Sequence, residues 1–247
     1  SQWGGDLAPQ TVECWKGEGI SFVIVQYSSR MIQHLQTLVT AGGLDLEAYV
    51  YLYWGQSPWN QTPQNRTRAA LQMMEGFPVR RLWLDAEDTT HPYREDQLAE
   101  CVAICDQAGM ATGIYTGRWW WEPRTADSHA FAHLPLWHAE YLTGRPAFAT
   151  FQPYGGWQKP LIWQWRGTTD LCGHSVDLNV MEETPAPGGD ELTTAEREEL
   201  DDHRAKDELL FWLSQHRVVP VGDNPRIVEF RNRDRTPRPA PQFLALT

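Results

Sequence analysis

Residues 80–91 read RRLWLDAEDTTH, and this stretch carries most of the fold prediction. Its apolar run ends at Leu84 and is typical of a strand that is buried on both faces in a parallel sheet. Three carboxylates follow at once, and because side chains alternate along a strand, Asp85 and Glu87 are predicted to point the same way. Asp88 is predicted to be a solvated loop residue or a helix-capping group. Two carboxylates would then share one pocket.

The rest of the chain alternates strand-like and helix-like segments up to about residue 180. Short apolar runs mark the strands, and apolar residues three and four apart mark the helices. Such alternation predicts a parallel sheet. The predicted strands are 21–27, 47–55, 80–87, 111–117, 134–141, 160–165 and 175–180, and the predicted helices are 30–43, 62–76 and 93–109.

These seven strands, with room for one more before Thr11, favour a closed barrel over an open sheet. We therefore predict an α/β fold, a (β/α) barrel of the TIM type that is irregular in its last strands, where loops replace the helices. Nucleotide-binding α/β folds are disfavoured because no GxGxxG or GxxxxGK[ST] motif follows a strand. In barrels of this kind the active site lies at the carboxyl ends of the strands.

A change in composition predicts where the barrel ends. We predict a barrel domain at 1–184, a Pro- and Gly-rich linker at 185–192, and a C-terminal appendage at 193–247. The appendage begins with a predicted charged helix and ends in an Arg- and Pro-rich tail. Residues 190–247 are a candidate surface for a protein partner.

Charge and histidine spacing disfavour several kinds of partner. The net charge of -11 argues against nucleic acid and anionic membranes, which are bound mainly through Lys and Arg. No apolar run reaches about 18 residues, so we expect no membrane insertion. The spacing of His91, His133, His138 and His174 is not typical of metal ligands, and we predict no metal and no cofactor. His91 and His174 lie near strand ends and are candidates for contact with substrate.

The four cysteines are too few for a disulfide framework in a chain of this length. Cys101 and Cys105 share the apolar face of the helix predicted at 93–109, so we predict that they are core residues. Cys14 and Cys172 have no evident His partner, and the chain has no GxSxG motif. Catalysis by a nucleophilic Cys or Ser is therefore not predicted.

The residues at the predicted strand ends are carboxylates and aromatics with few cations. Clustered carboxylates raise one another's pKa, which keeps one of them protonated as a general acid near neutral pH. Carboxylates also stabilise an oxocarbenium-like charge, and aromatic faces suit sugar rings, so this set predicts glycoside hydrolysis. The strand-end residues are Tyr51, Tyr53, Asp85, Glu87, Tyr115, Glu140, Tyr141, Gln164 and Asp177.

Five motifs occur in order along the chain: GISFVIVQYSS (19–29), LWLDAE (82–87), GIYTG (113–117), LPLWHAEY (134–141) and LIWQWRGTTDLCGHSVDLNV (161–180). Together they resemble the lysozymes of glycoside hydrolase family 25. These are muramidases that cleave the β-1,4 bond between N-acetylmuramic acid and N-acetylglucosamine in peptidoglycan. The resemblance covers the chain from its first residue to about Met181.

This resemblance implies roles for residues within the motifs. Glu87 is the expected proton donor, and Asp85 is the partner that orients the substrate acetamido group or stabilises the charged intermediate. Asp177 is a further expected catalytic carboxylate. From the alternation of side chains along a strand, Tyr49 and Trp83 are instead predicted to face outward to the surrounding helices. The residues implied to line the sugar subsites are Tyr51, Tyr53, Tyr115, Trp137, Tyr141 and Gln164.

One position departs from the family pattern. The first strand of the family carries an Asp two residues before a Ser, and SQWGG (1–5) resembles the end of that strand, with Ser1 as the Ser. The Asp would lie upstream of Ser1, and Asp6 is a poor substitute because it falls in the loop before the first helix. Either the chain begins within the strand, or this carboxylate is absent and catalysis is impaired.

Three functions are consistent with these features: a peptidoglycan-cleaving muramidase, a non-catalytic wall- or glycan-binding domain, and a structural lysozyme-like domain of a phage or secretion assembly. The expected partner is the glycan strand of peptidoglycan. The expected location is secreted or phage-associated, at the bacterial cell wall. An acid-side pH optimum is expected if Glu87 must be protonated beside ionised carboxylates.

Overall fold

The computed structural model describes residues 6–55 and 61–182, together with the backbone of residues 242–246. The predicted linker at 185–192 and nearly all of the predicted appendage at 193–247 lie outside the described residues. The domain boundaries therefore stay a prediction.

The described residues form helices and strands in the predicted alternation, with two helices, Pro9–Gly17 and Arg118–Thr125, besides the three predicted. The helices are α1 Pro9–Gly17, α2 Met31–Ala41, α3 Pro63–Met74, α4 Glu95–Gln107 and α5 Arg118–Thr125. The strands are β1 Ile20–Gln26, β2 Asp45–Tyr51, β3 Val79–Asp85, β4 Thr112–Thr116, β5 Leu136–Ala139, β6 Ile162–Leu171, β7 His174–Met181 and β8 Gln242–Leu246.

The strands close into a barrel in the order β1 to β8, which confirms the predicted barrel class. Strands β1 to β6 pair in parallel, each with the next along the chain. β7 is antiparallel to both of its neighbours, because β6 and β7 form a hairpin without a crossover helix. This hairpin is the irregularity predicted for the last strands.

The strand that completes the barrel comes from the C-terminal end of the chain. β8 pairs in parallel with β1 and antiparallel with β7. The sequence predicted instead an extra strand before Thr11, where α1 occupies residues from Pro9 onward and residues 1–5 lie outside the description. β8 reads QFLAL and contains no ionisable residue.

A ring of large side chains fills the interior of the barrel. Tyr49 and Trp83 belong to this ring, and each packs edge-on to Trp137 at 5.8 Å between ring centroids. The prediction that they face outward was wrong. Residues two apart on a strand share a face, so Tyr49 must point the same way as Tyr51, and Trp83 the same way as Asp85. The members of the ring are Phe22, Ile24, Tyr49, Trp83, Tyr115, Trp137, Ala139 and Ile162.

A larger apolar core lies between the outer face of the strands and the helices. Cys101 and Cys105 of α4 are free and buried in this core, which confirms that they are packing residues. α3 begins at a Thr62 cap, whose hydroxyl accepts the N–H of Asn65, followed by Pro63 at the first helical position. These local signals set where the helix starts.

A disulfide joins Cys14 of α1 to Cys172 in the turn between β6 and β7, with their Cα atoms 6.2 Å apart. This bond was not predicted, because the two residues are 158 positions apart in the sequence. Beside it, the Trp15 indole donates to the Leu171 carbonyl at 3.2 Å. The bond and the indole together fasten α1 to the hairpin that carries Asp177.

None of the helices in the described ranges is both long and apolar enough to cross a lipid bilayer.

Candidate active site

Asp85 and Glu87 lie at the carboxyl end of β3. Asp85 is the last residue of the strand, is 6% exposed, and stands in register with Tyr51 of β2 and Tyr115 of β4. Its Oδ1 accepts the backbone N–H of Glu87 at 3.0 Å. This hydrogen bond turns the chain directly after the strand and holds the two acidic residues together at the mouth of the barrel.

The Glu87 carboxylate is held by the end of the neighbouring strand. Its Oε1 accepts the backbone N–H of Gly117 at 2.6 Å, which leaves Oε2 to carry a proton. Burial raises the pKa of Glu87 to about 7, although the Gly117 N–H lowers it in part. Glu87 is therefore suited to donate a proton near neutral pH.

Asp85 and Glu87 titrate as a pair. Burial raises the pKa of Asp85 well above its ordinary value, and the nearby charge of Glu87 raises it further. Two charges so close in a dry site repel each other, so the pair retains one proton to a higher pH than either group would alone. One member is then an acid while the other is a carboxylate.

A hydrogen-bond chain connects β4, β6 and β7 across the mouth. The Tyr115 hydroxyl donates to Gln164 Oε1 at 2.7 Å, and Gln164 Nε2 donates to Asp177 Oδ2 at 2.8 Å. Burial raises the pKa of Asp177, while the N–H groups of Thr168 and Gln164 lower it in part. Three carboxylates, Asp85, Glu87 and Asp177, thus come to one site.

The backbone of Thr168 is strained where it supports Asp177. Thr168 has a φ of 50°, in the left-handed region that β-branched residues rarely adopt. Its N–H donates to Asp177 Oδ1 at 2.9 Å, and the register of β6 shifts on either side of Arg166. The irregular strand therefore aims a backbone donor at the carboxylate, and such strain is often found at functional sites.

Trp137 belongs to the interior ring of side chains and connects to the site through Tyr115 and Asn179. It is 1% exposed, stacks edge-on against Tyr115 at 4.5 Å, and donates its indole N–H to Asn179 Oδ1 at 2.8 Å. Asn179 in turn donates to the backbone carbonyl of Asp177 at 3.1 Å. Trp137 was expected to line a sugar subsite, and this stays a prediction; its ring is buried against Tyr115 and its indole N–H is held by Asn179.

Tyrosines flank the carboxylates at the mouth. The Tyr51 hydroxyl donates to the Glu87 carbonyl at 3.3 Å, and its ring meets Tyr53 at 4.7 Å between centroids. Tyr141 is 66% exposed, and a Cβ at Gly167 would lie 3.3 Å from its ring and 3.4 Å from Asp177 Oδ1. Tyr51 and Tyr53 are partly exposed, and the exposed Glu140 side chain lies 3.3 Å from His138 Nε2. The roles of these residues in sugar binding stay predictions.

Asp88 is a buried anchor for the loop that follows Glu87, so the prediction of a solvated or capping residue was wrong. It is 0% exposed. Its carboxylate accepts from the Trp54 N–H at 3.0 Å, from the Thr90 N–H at 2.8 Å and from His91 Nδ1 at 2.8 Å. Burial alone would raise the pKa of Asp88, but these hydrogen bonds lower it below its ordinary value.

The two candidate histidines have structural partners. His91 binds Asp88, and its ring lies so close to Gly55 that a Cβ there would come within 2.2 Å of it. His174 packs edge-on against Trp15 at 5.9 Å. Within the described residues, no group of three or more His, Cys, Asp and Glu side chains is arranged to hold a metal ion.

Three contributors to the site were missed in the sequence: the N–H of Gly117, the N–H of Thr168 and the side chain of Asn179. Gly117 is the last residue of the motif GIYTG, and a Cβ there would lie 2.5 Å from the Ala139 carbonyl. A Gly at this position therefore indicates that two backbone segments lie close together. The sequence around Thr168 gives no such signal, because the Thr168 N–H reaches Asp177 only where the register of β6 shifts.

The sequence matches the model of one known protein family, described as lysozyme-like protein 1, over residues 4–165. Lysozyme-like protein 5 of Caenorhabditis elegans is 29% identical over 191 residues, which cover 70% of this chain and 86% of that protein. Probable GH family 25 lysozyme 3 of Dictyostelium discoideum is 28% identical over 192 residues, covering 74% of this chain but only 37% of that protein.

Among solved structures, the crystal structure of the CTP1L endolysin is similar with a TM-score of 0.51. The two are 17% identical, and the match covers 72% of this chain and 62% of that one. At this identity the similarity supports the barrel fold alone.

Proposed function

This chain belongs to the lysozyme-like protein 1 family and carries a lysozyme domain of the glycoside hydrolase family 25 type, and from this membership we propose that it hydrolyses the glycan strands of peptidoglycan. The bond cleaved is the β-1,4 bond between N-acetylmuramic acid and N-acetylglucosamine. The single observation that carries the proposal is Glu87, a carboxyl group with a pKa of about 7 that is held by the Gly117 N–H beside two further carboxylates.

In this proposal Glu87 donates its proton to the glycosidic oxygen as the bond breaks. Asp85, whose Oδ1 is oriented by the Glu87 N–H, stabilises the positive charge on the sugar ring or orients the acetamido group of the substrate. Asp177 is fixed by Thr168 and Gln164 and adds negative charge on the opposite side of the mouth. Tyr51, Tyr53 and Tyr141 offer faces to neighbouring sugars.

The test is the identity of the reducing ends released from purified peptidoglycan. Incubation with the full chain, followed by borohydride reduction and acid hydrolysis, which also removes the acetyl groups, is expected to yield reduced muramic acid. Reduced glucosamine alone would assign the other glycosidic bond, and no new reducing ends would contradict hydrolysis.

A second candidate, a glycan-binding domain without turnover, is favoured by one observation. The strand between β7 and β1 is β8, whose sequence QFLAL contributes no carboxylate. In the described residues, the three carboxylates at the mouth therefore come from the carboxyl end of β3 and from β7. Peptidoglycan binding that persists without release of reducing ends, and that is unchanged in Glu87→Gln, would favour this candidate over hydrolysis.

A location outside the cytosol is part of the proposal. The Cys14–Cys172 disulfide is a type of bond that persists in oxidising compartments and is rare in the cytosol. We therefore propose a secreted or phage-associated protein that acts at the bacterial cell wall. A protein partner for residues 190–247 stays a prediction.

A further inference from the structure

Trp119 is 59% exposed, although its neighbours Trp120 and Trp121 are 0% exposed. It is the second residue of α5, which follows β4 at the mouth of the barrel. Its two neighbours face the core, and they donate their indole N–H groups to the carbonyls of Asp88 and Ser128. The exposed indole therefore takes no part in the packing that its neighbours share.

The indole of Trp119 lies against the residue that holds Glu87. A Cβ atom at Gly117 would come within 2.6 Å of the Trp119 ring. The N–H of the same Gly117 donates to Glu87 Oε1 at 2.6 Å. Gly117 thus binds the candidate proton donor and lies beside the Cδ1–Nε1 edge of the exposed indole.

The start of α5 is anchored, so the position of the indole is set by the fold. Arg118 donates to the carbonyls of Gln152 and Pro153 at 2.5 and 2.7 Å, and its Nε lies 3.4 Å from Glu122. Its guanidinium also lies over the Tyr154 ring at 5.7 Å. These contacts keep the first turn of the helix beside the mouth.

Trp119 and Asp177 lie on different sides of Glu87. Asp177 belongs to β7, which stands opposite β3 in the closed order of eight strands. Trp119 lies on α5, two residues after the Gly117 whose N–H binds Glu87 Oε1. A general acid acts between the sugar ring that develops positive charge and the leaving group, so an aromatic on the side of Glu87 away from Asp177 serves the leaving group.

We propose that Trp119 is a stacking platform for the sugar on the leaving-group side of the bond that Glu87 protonates. This rests on the proposed function, which makes that sugar the N-acetylglucosamine of a peptidoglycan strand. The flat C–H face of the pyranose lies on the indole, and its hydroxyl rim remains in water. The platform binds the leaving-group product and positions the scissile oxygen at Glu87.

The first experiment compares two substrates of the full chain. One is a peptidoglycan glycan strand, and the other is the glycosyl fluoride of the N-acetylglucosamine–N-acetylmuramic acid disaccharide, whose leaving group is a fluoride ion that cannot stack on an indole. Trp119→Ala is expected to raise KM for the strand about tenfold and to leave KM for the glycosyl fluoride unchanged. Trp119→Phe keeps an aromatic face and is expected to stay within about twofold of the wild type.

Ile32→Ala is the matched control, because Ile32 is also an exposed apolar residue, 40% exposed on α2. The control is expected to match the wild type on both substrates. The platform is overturned if Trp119→Ala has the same KM for the strand as Ile32→Ala. It is also overturned if Trp119→Ala raises KM equally for both substrates.

The second experiment measures binding without turnover, in the Glu87→Gln background, by titration calorimetry. Trp119→Ala is expected to weaken the binding of a peptidoglycan tetrasaccharide about tenfold. The affinity for the N-acetylglucosamine–N-acetylmuramic acid disaccharide is expected to stay unchanged. If the wild type cleaves nothing but this difference in binding is present, the hydrolase proposal fails and the platform stands. If the wild type cleaves peptidoglycan and tetrasaccharide binding is independent of Trp119, the platform fails and the hydrolase proposal stands.

Discussion

At the scale of single residues, Glu87 combines burial with one backbone donor. Burial disfavours its charge and the Gly117 N–H favours it, and the balance leaves a pKa of about 7. A fully exposed carboxyl group would be ionised at neutral pH and could not donate a proton. The pKa of Glu87, and with it proton donation, therefore depends on how deeply the loop after β3 is buried at the mouth of the barrel.

The rate of glycan hydrolysis should fall as the pH rises through about 7, because Glu87 then loses the proton that it donates. Above this pH, kcat/KM is expected to drop about tenfold for each pH unit. Initial rates of reducing-end release between pH 5 and pH 9 measure this dependence. A rate that stays level from pH 6 to pH 9 would rule out Glu87 as the proton donor.

Asp88 is expected to matter for activity although it does not face the mouth. In Asp88→Asn one carboxylate oxygen becomes an NH2 group, so a donor among Trp54, Thr90 and His91 is left without an acceptor, at a cost of about 1–3 kcal/mol. The loop that carries Glu87 should shift, and both the melting temperature and the hydrolysis rate should fall.

Asp96→Asn is the control for this variant, since Asp96 forms an ion pair with Arg94 in which both side chains are more than half exposed. Thermal unfolding and initial rates should be measured for both variants. Equal melting temperatures and equal initial rates for Asp88→Asn and Asp96→Asn would show that neither stability nor activity requires the buried carboxylate.

At the scale of elements, the hairpin of β6 and β7 brings Asp177 to the site and is fastened to α1. The bulged strand directs the Thr168 N–H at Asp177, and the disulfide joins the turn of the hairpin to Cys14. The hairpin lacks a crossover helix of its own. Its position therefore depends on α1 and on the neighbouring strands.

Loss of the disulfide should destabilise the barrel. Constraining a loop of 158 residues is worth about 5 kcal/mol in the chain-entropy model. The double variant Cys14→Ser, Cys172→Ser is expected to unfold at lower urea concentration than the wild type. Added reductant should lower the stability of the wild type and leave the double variant unchanged. Wild-type stability that is insensitive to reductant would argue against a stabilising role.

Local patterns predicted most of the elements and the main pair of carboxylates. The period-two alternation at Leu84 to Glu87 was enough to bring Asp85 and Glu87 together. The same rule, applied consistently to Tyr49 and Trp83, would have placed them inside the barrel. Contacts between distant parts of the chain could not be read in this way: neither the Cys14–Cys172 bond nor the pairing of β8 leaves a local signal.

At the scale of the whole molecule, the barrel buries several carboxyl groups at its two ends. Asp85, Glu87 and Asp177 lie at the mouth, while Glu47 lies on the other side of the interior ring, hydrogen-bonded to the Trp83 indole and 3.3 Å from Arg81. Burial raises the pKa of Glu47 to about 7, against the opposing charge of Arg81. These groups hold protons more tightly in the folded chain than in the unfolded one.

The free energy of unfolding should therefore decrease as the pH rises from about 4.5 to above 7. Groups whose folded pKa is raised contribute stability below the unfolded pKa, and this contribution is lost as the pH passes the folded value. Urea unfolding at pH 5 and pH 8 measures the difference, and Glu47→Gln should reduce it without affecting the mouth. Equal stability at both pH values would mean that these carboxyls are not buried in solution.

The most direct test of the central claim is the rate at which Glu87→Gln releases reducing ends from purified peptidoglycan, relative to the wild type. The amide keeps the acceptor for the Gly117 N–H but has no proton to donate, so the rate is predicted to fall by roughly 100-fold or more while peptidoglycan binding is retained. Wild-type rates in Glu87→Gln would contradict the account.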